Sequence, residues 1–114
     1  MRSLIALWTV LVLANAAFGS GLPGYSLEIQ DHAFAPAELS VPAGSRVKLL
    51  VKNARSLPSE FESFDLNREE VVPPGQTVTI WIGPLAAGRY KIFDDFNPGT
   101  TGWIVVGDAS SGRP

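Results

Sequence analysis

The chain has 114 residues, a formal net charge of −2, nine basic residues against eleven acidic ones, a single histidine and no cysteine. Without cysteine there is neither thiol chemistry nor disulfide stapling, so a domain this small must be held by its apolar core. The acidic balance argues against electrostatic binding to nucleic acid or anionic lipid and favours a cationic ligand or metal ion.

Met1 and Arg2 form a short basic end before an apolar run from Leu4 to Leu13, which is too short to span a bilayer. Small residues come next, and Ala14, Asn15 and Ala16 supply an A-x-A-like site. Residues 1–19 therefore read as a signal peptide cleaved after Ala16 or Gly19. An uncleaved membrane anchor is the rival reading. Either reading puts the domain outside the cytoplasm, here the periplasm, and losing Arg2 makes the remainder one unit more negative. Residues 20–107 are enough for one domain.

Tyr25, Leu27 and Ile29 alternate with Ser26 and Glu28, the period of a half-buried strand. Phe34 to Pro42 holds two prolines around a short stretch from Glu38 to Val41, and Ala43-Gly44 supplies a turn. Arg46 to Asn53 is the clearest strand: Val47, Leu49 and Val51 face one way, Arg46, Lys48 and Lys52 the other, and Leu50 breaks the pattern. Ala54 to Pro58 reads as a loop, Glu60 to Phe64 as a weakly alternating strand, and Asn67 to Glu70 as a solvated turn. Pro73, Pro74 and Gly75 make Val71 to Gly75 another turn. Gln76 to Ile82, Arg89 to Phe93 and Gly102 to Val106 complete the set, and residues 108–114 read as a flexible tail. About seven short strands without helical periodicity predict an all-β sandwich.

The pieces "HAFAPAELSVPAGSRVKLLVKN", "PSEFESFDLN" and "VVPPGQTVTIWIGPLAAGRYKIFDDFNPGTTGWIVV" resemble, in this order, the cupredoxins. That resemblance implies a Greek-key β-sandwich. It also implies where copper ligands would fall: the first His at Ser59 or Glu60, the Cys at Asp94, the second His near Asn97, and the axial ligand within Gly99 to Gly102. Type 1 copper takes a thiolate and two imidazoles, which this chain lacks, so blue-copper electron transfer is excluded. Within the cupredoxins, "DHAFAPAEL", "EFESFDLNRE" and "FDDFNPGTTG" are similar to small periplasmic proteins that accompany bacterial iron permeases, where a His is common at the position of Phe64. The similarity implies a role in iron uptake, binding or oxidising iron, with copper an alternative metal.

Glu60, Glu62 and Asp65 on one segment and Asp94 and Asp95 on another form an acidic set that this fold brings to one end. Carboxylate oxygens are hard donors suited to Fe(III), Mn(II), Ca(II) or Mg(II), and with an imidazole also to Cu(II). The metal candidates are Glu60, Glu62, Asp94, Asp95 and His32, the lone histidine, which Asp31 could orient. Competing readings make the carboxylates solubilising and let Arg68 pair internally with Glu62 or Asp95. No nucleophile elbow or phosphate loop is present, so an enzymatic role would be of ferroxidase type, through a bound metal. The alternative of another class is a metal-free interaction module, docking a partner through the acidic loop or through Phe96 and Trp103.

Overall fold

The computed structural model describes residues 23–107; the segments read as signal peptide and tail lie outside them. Among the described residues there are nine strands and no helix: β1 (Gly24–Ile29), β2 (Phe34–Ala35), β3 (Glu38–Pro42), β4 (Val47–Asn53), β5 (Ser59–Ser63), β6 (Arg68–Val72), β7 (Thr77–Ile82), β8 (Gly88–Asp94) and β9 (Thr101–Gly107). They form a four-stranded sheet in the order β2-β1-β4-β7 and a five-stranded sheet in the order β3-β9-β8-β5-β6. The β1/β4 and β3/β9 pairs are parallel and the rest antiparallel.

Alternation along each strand builds the space between the sheets, since every second side chain points inward. Leu27 and Ile29 of β1, Val47, Leu49 and Val51 of β4, and Ile80 and Ile82 of β7 come from one sheet. Phe61 of β5, Val72 of β6, Ile92 of β8 and Ile104 and Val106 of β9 come from the other. The all-β sandwich read from the sequence is the observed architecture.

The segment from Arg68 to Val72 differs from the sequence reading, which put Asn67 to Glu70 in one turn and Val71 to Gly75 in another. Arg68, Glu69 and Glu70 do not form a turn but lie in β6, an edge strand paired to β5 in the register Ser63↔Arg68, Glu62↔Glu69 and Glu60↔Val71. Only Val72 of that strand is buried, so the hydrophobic alternation that marks a strand is missing. Leu50, the exception in β4, lies on the outer face against Gly24, where an added Cβ would come within 2.6 Å of its Cδ1.

Candidate functional site

The loop between β4 and β5 is shaped by Asn53 at the end of β4. Its fully buried amide donates from Nδ2 to Leu57 O at 2.8 Å and to Val72 O at 2.9 Å, while Oδ1 accepts from Arg55 N at 2.8 Å. These bonds fold residues 54–58 back on themselves and turn the Arg55 side chain inward, where only 9% of it stays exposed.

Arg55 meets Asp94, the last residue of β8. Nη1 lies 3.0 Å from Ser59 Oγ, 3.1 Å from Pro58 O and 3.5 Å from Asp94 Oδ2, while Nε lies 3.4 Å from Asp31 Oδ1. Asp94 is fully buried, and its Oδ1 accepts from Glu60 N at 2.9 Å and from Phe96 N at 3.0 Å. Both carboxylate oxygens are thus engaged within the protein. Asn97 Nδ2 donates to Asp31 O and to Thr100 Oγ1, the latter at 3.2 Å.

Of the two residues that the resemblance offers for the first His, the alternation of β5 turns Ser59 inward and Glu60 outward. Ser59, Phe61 and Ser63 are buried while Glu60 and Glu62 are half-exposed on the opposite face, so Ser59 shares the interior with Asp94 and Glu60 does not. Of the positions that the resemblance assigns to copper ligands, Ser59 and Asp94 are buried with a guanidinium between them, and Asn97 is half-exposed on the loop that follows β8. Type 1 copper takes a thiolate and two imidazoles. The residues present do not fit it.

The acidic candidates Glu60 and Glu62 lie on the outer face of the five-stranded sheet, with Asp95 beside them just after β8. Glu60, Glu62 and Asp95 each offer a carboxylate oxygen, and these atoms lie within 4.8 Å of one another. Glu69 stands across from Glu62 on β6. Partial burial, followed by the neighbouring carboxylates, raises the pKa of both glutamates above the usual value. For Glu60 the causes are partial burial, repulsion from Glu69 and a hydrogen bond to Asp95; for Glu62 they are partial burial, then repulsion from Glu69 and Asp95. Among the described residues, none of these carboxylates is in an ion pair.

Of the residues singled out from the sequence, Glu60, Glu62 and Asp95 are brought together. Asp94 points to the other side of the sheet and pairs with Arg55, and His32 is exposed and outside the carboxylate group. Asp65 accepts from Lys91 N at 2.8 Å. Arg68 does not reach Glu62 or Asp95; its Nε donates to Trp81 O at 2.9 Å and its Nη1 to Asn67 O at 3.0 Å. Trp81 alternates with the buried Ile80 and Ile82 and lies on the outward face of β7, with Arg46 4.3 Å from the ring centroid. Trp103 is covered by Arg89 at 4.7 Å, whereas Phe96 is 52% exposed. Sequence reasoning missed Arg55 and Glu69.

The Cupredoxin-like domain family matches residues 3–106. An uncharacterised protein of Rickettsia prowazekii (strain Madrid E) is 41% identical over 83 residues, or 72% of this chain; the chain spans 66% of that relative's length. Three solved structures share the fold at low identity. Amicyanin from Paracoccus versutus is 19% identical with a TM-score of 0.60, over 78% of this chain and 86% of its own. A purple cupredoxin from Nitrosopumilus maritimus is 19% identical with a TM-score of 0.56, over 73% of this chain and 99% of its own. The metal-binding domain of the Streptococcus pneumoniae D39 Cu(I)-exporting P-type ATPase CopA, with Cu(I), is 14% identical with a TM-score of 0.66, over 77% of this chain and 92% of its own. With its two sheets, its strand order and a family match over nearly its whole length, the chain belongs to the cupredoxin-like domain family.

Proposed function

We propose that this chain is a periplasmic cupredoxin-like metal-handling protein that binds a hard cation, iron in the first instance, on the outer face of its five-stranded sheet. The observation that carries the reading is the convergence of Glu60, Glu62 and Asp95 oxygens within 4.8 Å, with no basic partner among the described residues. Three carboxylates at that spacing repel one another in the absence of a cation, and the pKa values of Glu60 and Glu62 are raised, first by partial burial and then by the neighbouring carboxylates, Glu69 foremost. A multivalent cation with oxygen preference relieves that repulsion. The resemblance to proteins that accompany bacterial iron permeases supports iron as the cargo and an inner-membrane permease as the recipient. The leader at residues 1–19 supports export to the periplasm. An open position on a sheet face suits a carrier that must give its ion up.

Calorimetric titration of the mature domain with Fe(III), Fe(II) and Cu(II) tests this. Heat of binding is expected with at least one of them, and it disappears in the Glu60→Gln, Glu62→Gln double variant. No heat with any of the three, or heat indifferent to those substitutions, rejects the proposal. Oxygen consumption on adding Fe(II) separates a ferroxidase from a carrier.

A second reading, a metal-free docking module, is favoured by a different observation. Leu57 and Phe96, on the two loops beside Arg55 and Asp94, are 59% and 52% exposed, and exposed apolar side chains at one end of a sandwich suit contact with another protein. Retention of a detergent-solubilised iron permease on the immobilised domain, abolished by Leu57→Ser with Phe96→Ser but not by Glu60→Gln with Glu62→Gln, would favour it.

A further inference from the structure

We infer that Arg55 is a built-in cation that occupies the interior ligand locus of this fold, closing it to metal and letting the domain fold without one. Asp94 creates the need for it. A carboxylate with no exposed surface must be neutralised or paired, because an uncompensated buried charge is very costly. Two backbone amides, from Glu60 and Phe96, satisfy Oδ1, and the Arg55 guanidinium faces Oδ2 at 3.5 Å. The same Nη1 reaches Ser59 Oγ at 3.0 Å, so one cation bridges the two strands, β5 and β8, that supply the interior positions.

The guanidinium is held in place rather than merely nearby. Its Nε points to Asp31, Pro58 O takes a third contact, and Asn53 fixes the loop that carries it. Arg is suited to the role, since it stays protonated and offers several donors in a rigid plane. A metal entering here would have to displace a fixed positive charge and would find one carboxylate, a hydroxyl and an amide already in use. Metal binding is thereby confined to the outer face, and Arg55 closes the interior whether or not that face binds iron.

The test uses the full chain in a Glu60→Gln, Glu62→Gln background, which silences the outer face. Equilibrium dialysis with Cu(II) is expected to find no stoichiometric ion, and EDTA is expected to leave the unfolding midpoint unchanged. One equivalent of Cu(II) that is lost on Asp94→Asn would overturn the inference. In parallel, Arg55→Met is expected to lower the thermal midpoint by several degrees. Adding Asp94→Asn to it is expected to recover part of that loss, because an amide needs no cation. An unchanged midpoint in Arg55→Met, or no recovery in the double variant, would also overturn it. Should Arg55→Met fail to fold, the double variant carries the comparison: a folded double variant supports the pairing and an unfolded one rejects it.

Discussion

Asn53 Nδ2 donates to Val72 O at 2.9 Å across the interior, a buried hydrogen bond that joins β4 of one sheet to β6 of the other. The same amide group holds Leu57 O and Arg55 N, so one side chain both clamps the sandwich and shapes the loop that delivers Arg55. Asn53→Ala leaves two carbonyls and an amide without their partner. It is expected to cost about 2–4 kcal/mol, the scale of several buried polar groups left unsatisfied. Urea unfolding measures this, and a loss under about 1 kcal/mol would remove Asn53 from its central place.

The two phenylalanines of the β5 region should respond in opposite ways. Phe61 is fully buried, and Phe61→Ala is expected to destabilise by about 3–5 kcal/mol through lost contacts and an incompletely collapsed cavity. Phe64 is 79% exposed, its ring 5.2 Å from that of Phe93. Phe64→Ala is expected to shift stability by no more than about 0.5 kcal/mol, as exposed positions generally do. Chemical denaturation of both variants under one condition checks the contrast.

Gly83 follows β7 with φ at +85°, and a Cβ there would stand 2.8 Å from Ser45 O. The backbone conformation and the neighbouring carbonyl both oppose a side chain. Gly83→Ala is therefore expected to cost about 1–3 kcal/mol, while Gly44→Ala, at φ +75° with nothing near its added Cβ, bears the conformational part alone. A thermal midpoint for Gly83→Ala no lower than that for Gly44→Ala would count against the steric explanation.

Proton uptake at Glu60 and Glu62 sets a sign for the effect of pH. Their pKa values are raised in the folded chain, first by partial burial and then by Glu69. The folded state thus holds more protons than the unfolded one just above the ordinary glutamate range. Their contribution to stability is fully present below the unfolded value of about 4.5 and is lost as pH rises through the folded values. Glu38 has the opposite sign: its hydrogen bond from Arg89 lowers its pKa, so its contribution is present above the unfolded value and fades as pH falls. Both groups are exposed enough for salt to weaken the effect. A pH series of unfolding midpoints, with and without Glu62→Gln, is expected to lose part of the decline between mildly acidic and neutral pH in the variant.

Metal affinity should move the other way. Protons and cations compete for the same oxygens, so iron binding is expected to strengthen as pH rises through the raised values of Glu60 and Glu62. Glu62→Gln at neutral pH is expected to weaken Fe(III) binding by at least about tenfold, since even supporting residues around metals commonly cost that much. Calorimetry at two pH values reads both effects, and equal affinity in variant and parent would remove Glu62 from the site.

Much of the sandwich is legible in the sequence because its strands alternate: Val47, Leu49 and Val51, or Ile80 and Ile82, announce the buried face directly. β6 is not, because an edge strand with one buried residue carries no such pattern. The outward pair Glu60 and Glu62 comes from strand parity, and Asp95 joins them because β8 ends beside β5. Arg55 is hidden for a different reason. Its partner Asp94 is 39 positions away, and a lone arginine in a polar loop carries no mark of burial. The usable signal is a carboxylate at an inward position of β8, which demands a nearby cation; Arg68 is the arginine that sequence proximity to the acidic set suggests, but the loop fixed by Asn53 brings in Arg55 instead.

β6 has a further consequence for a domain that must fold without disulfides. A bare strand edge is a template on which a second chain can add its own strand, the first step toward aggregates. Here the exposed edge is Arg68, Glu69 and Glu70, charged residues of the kind by which natural edge strands discourage such pairing. The same charged residues that conceal this strand from a reading of the sequence thus give its open edge a polar, solvated character.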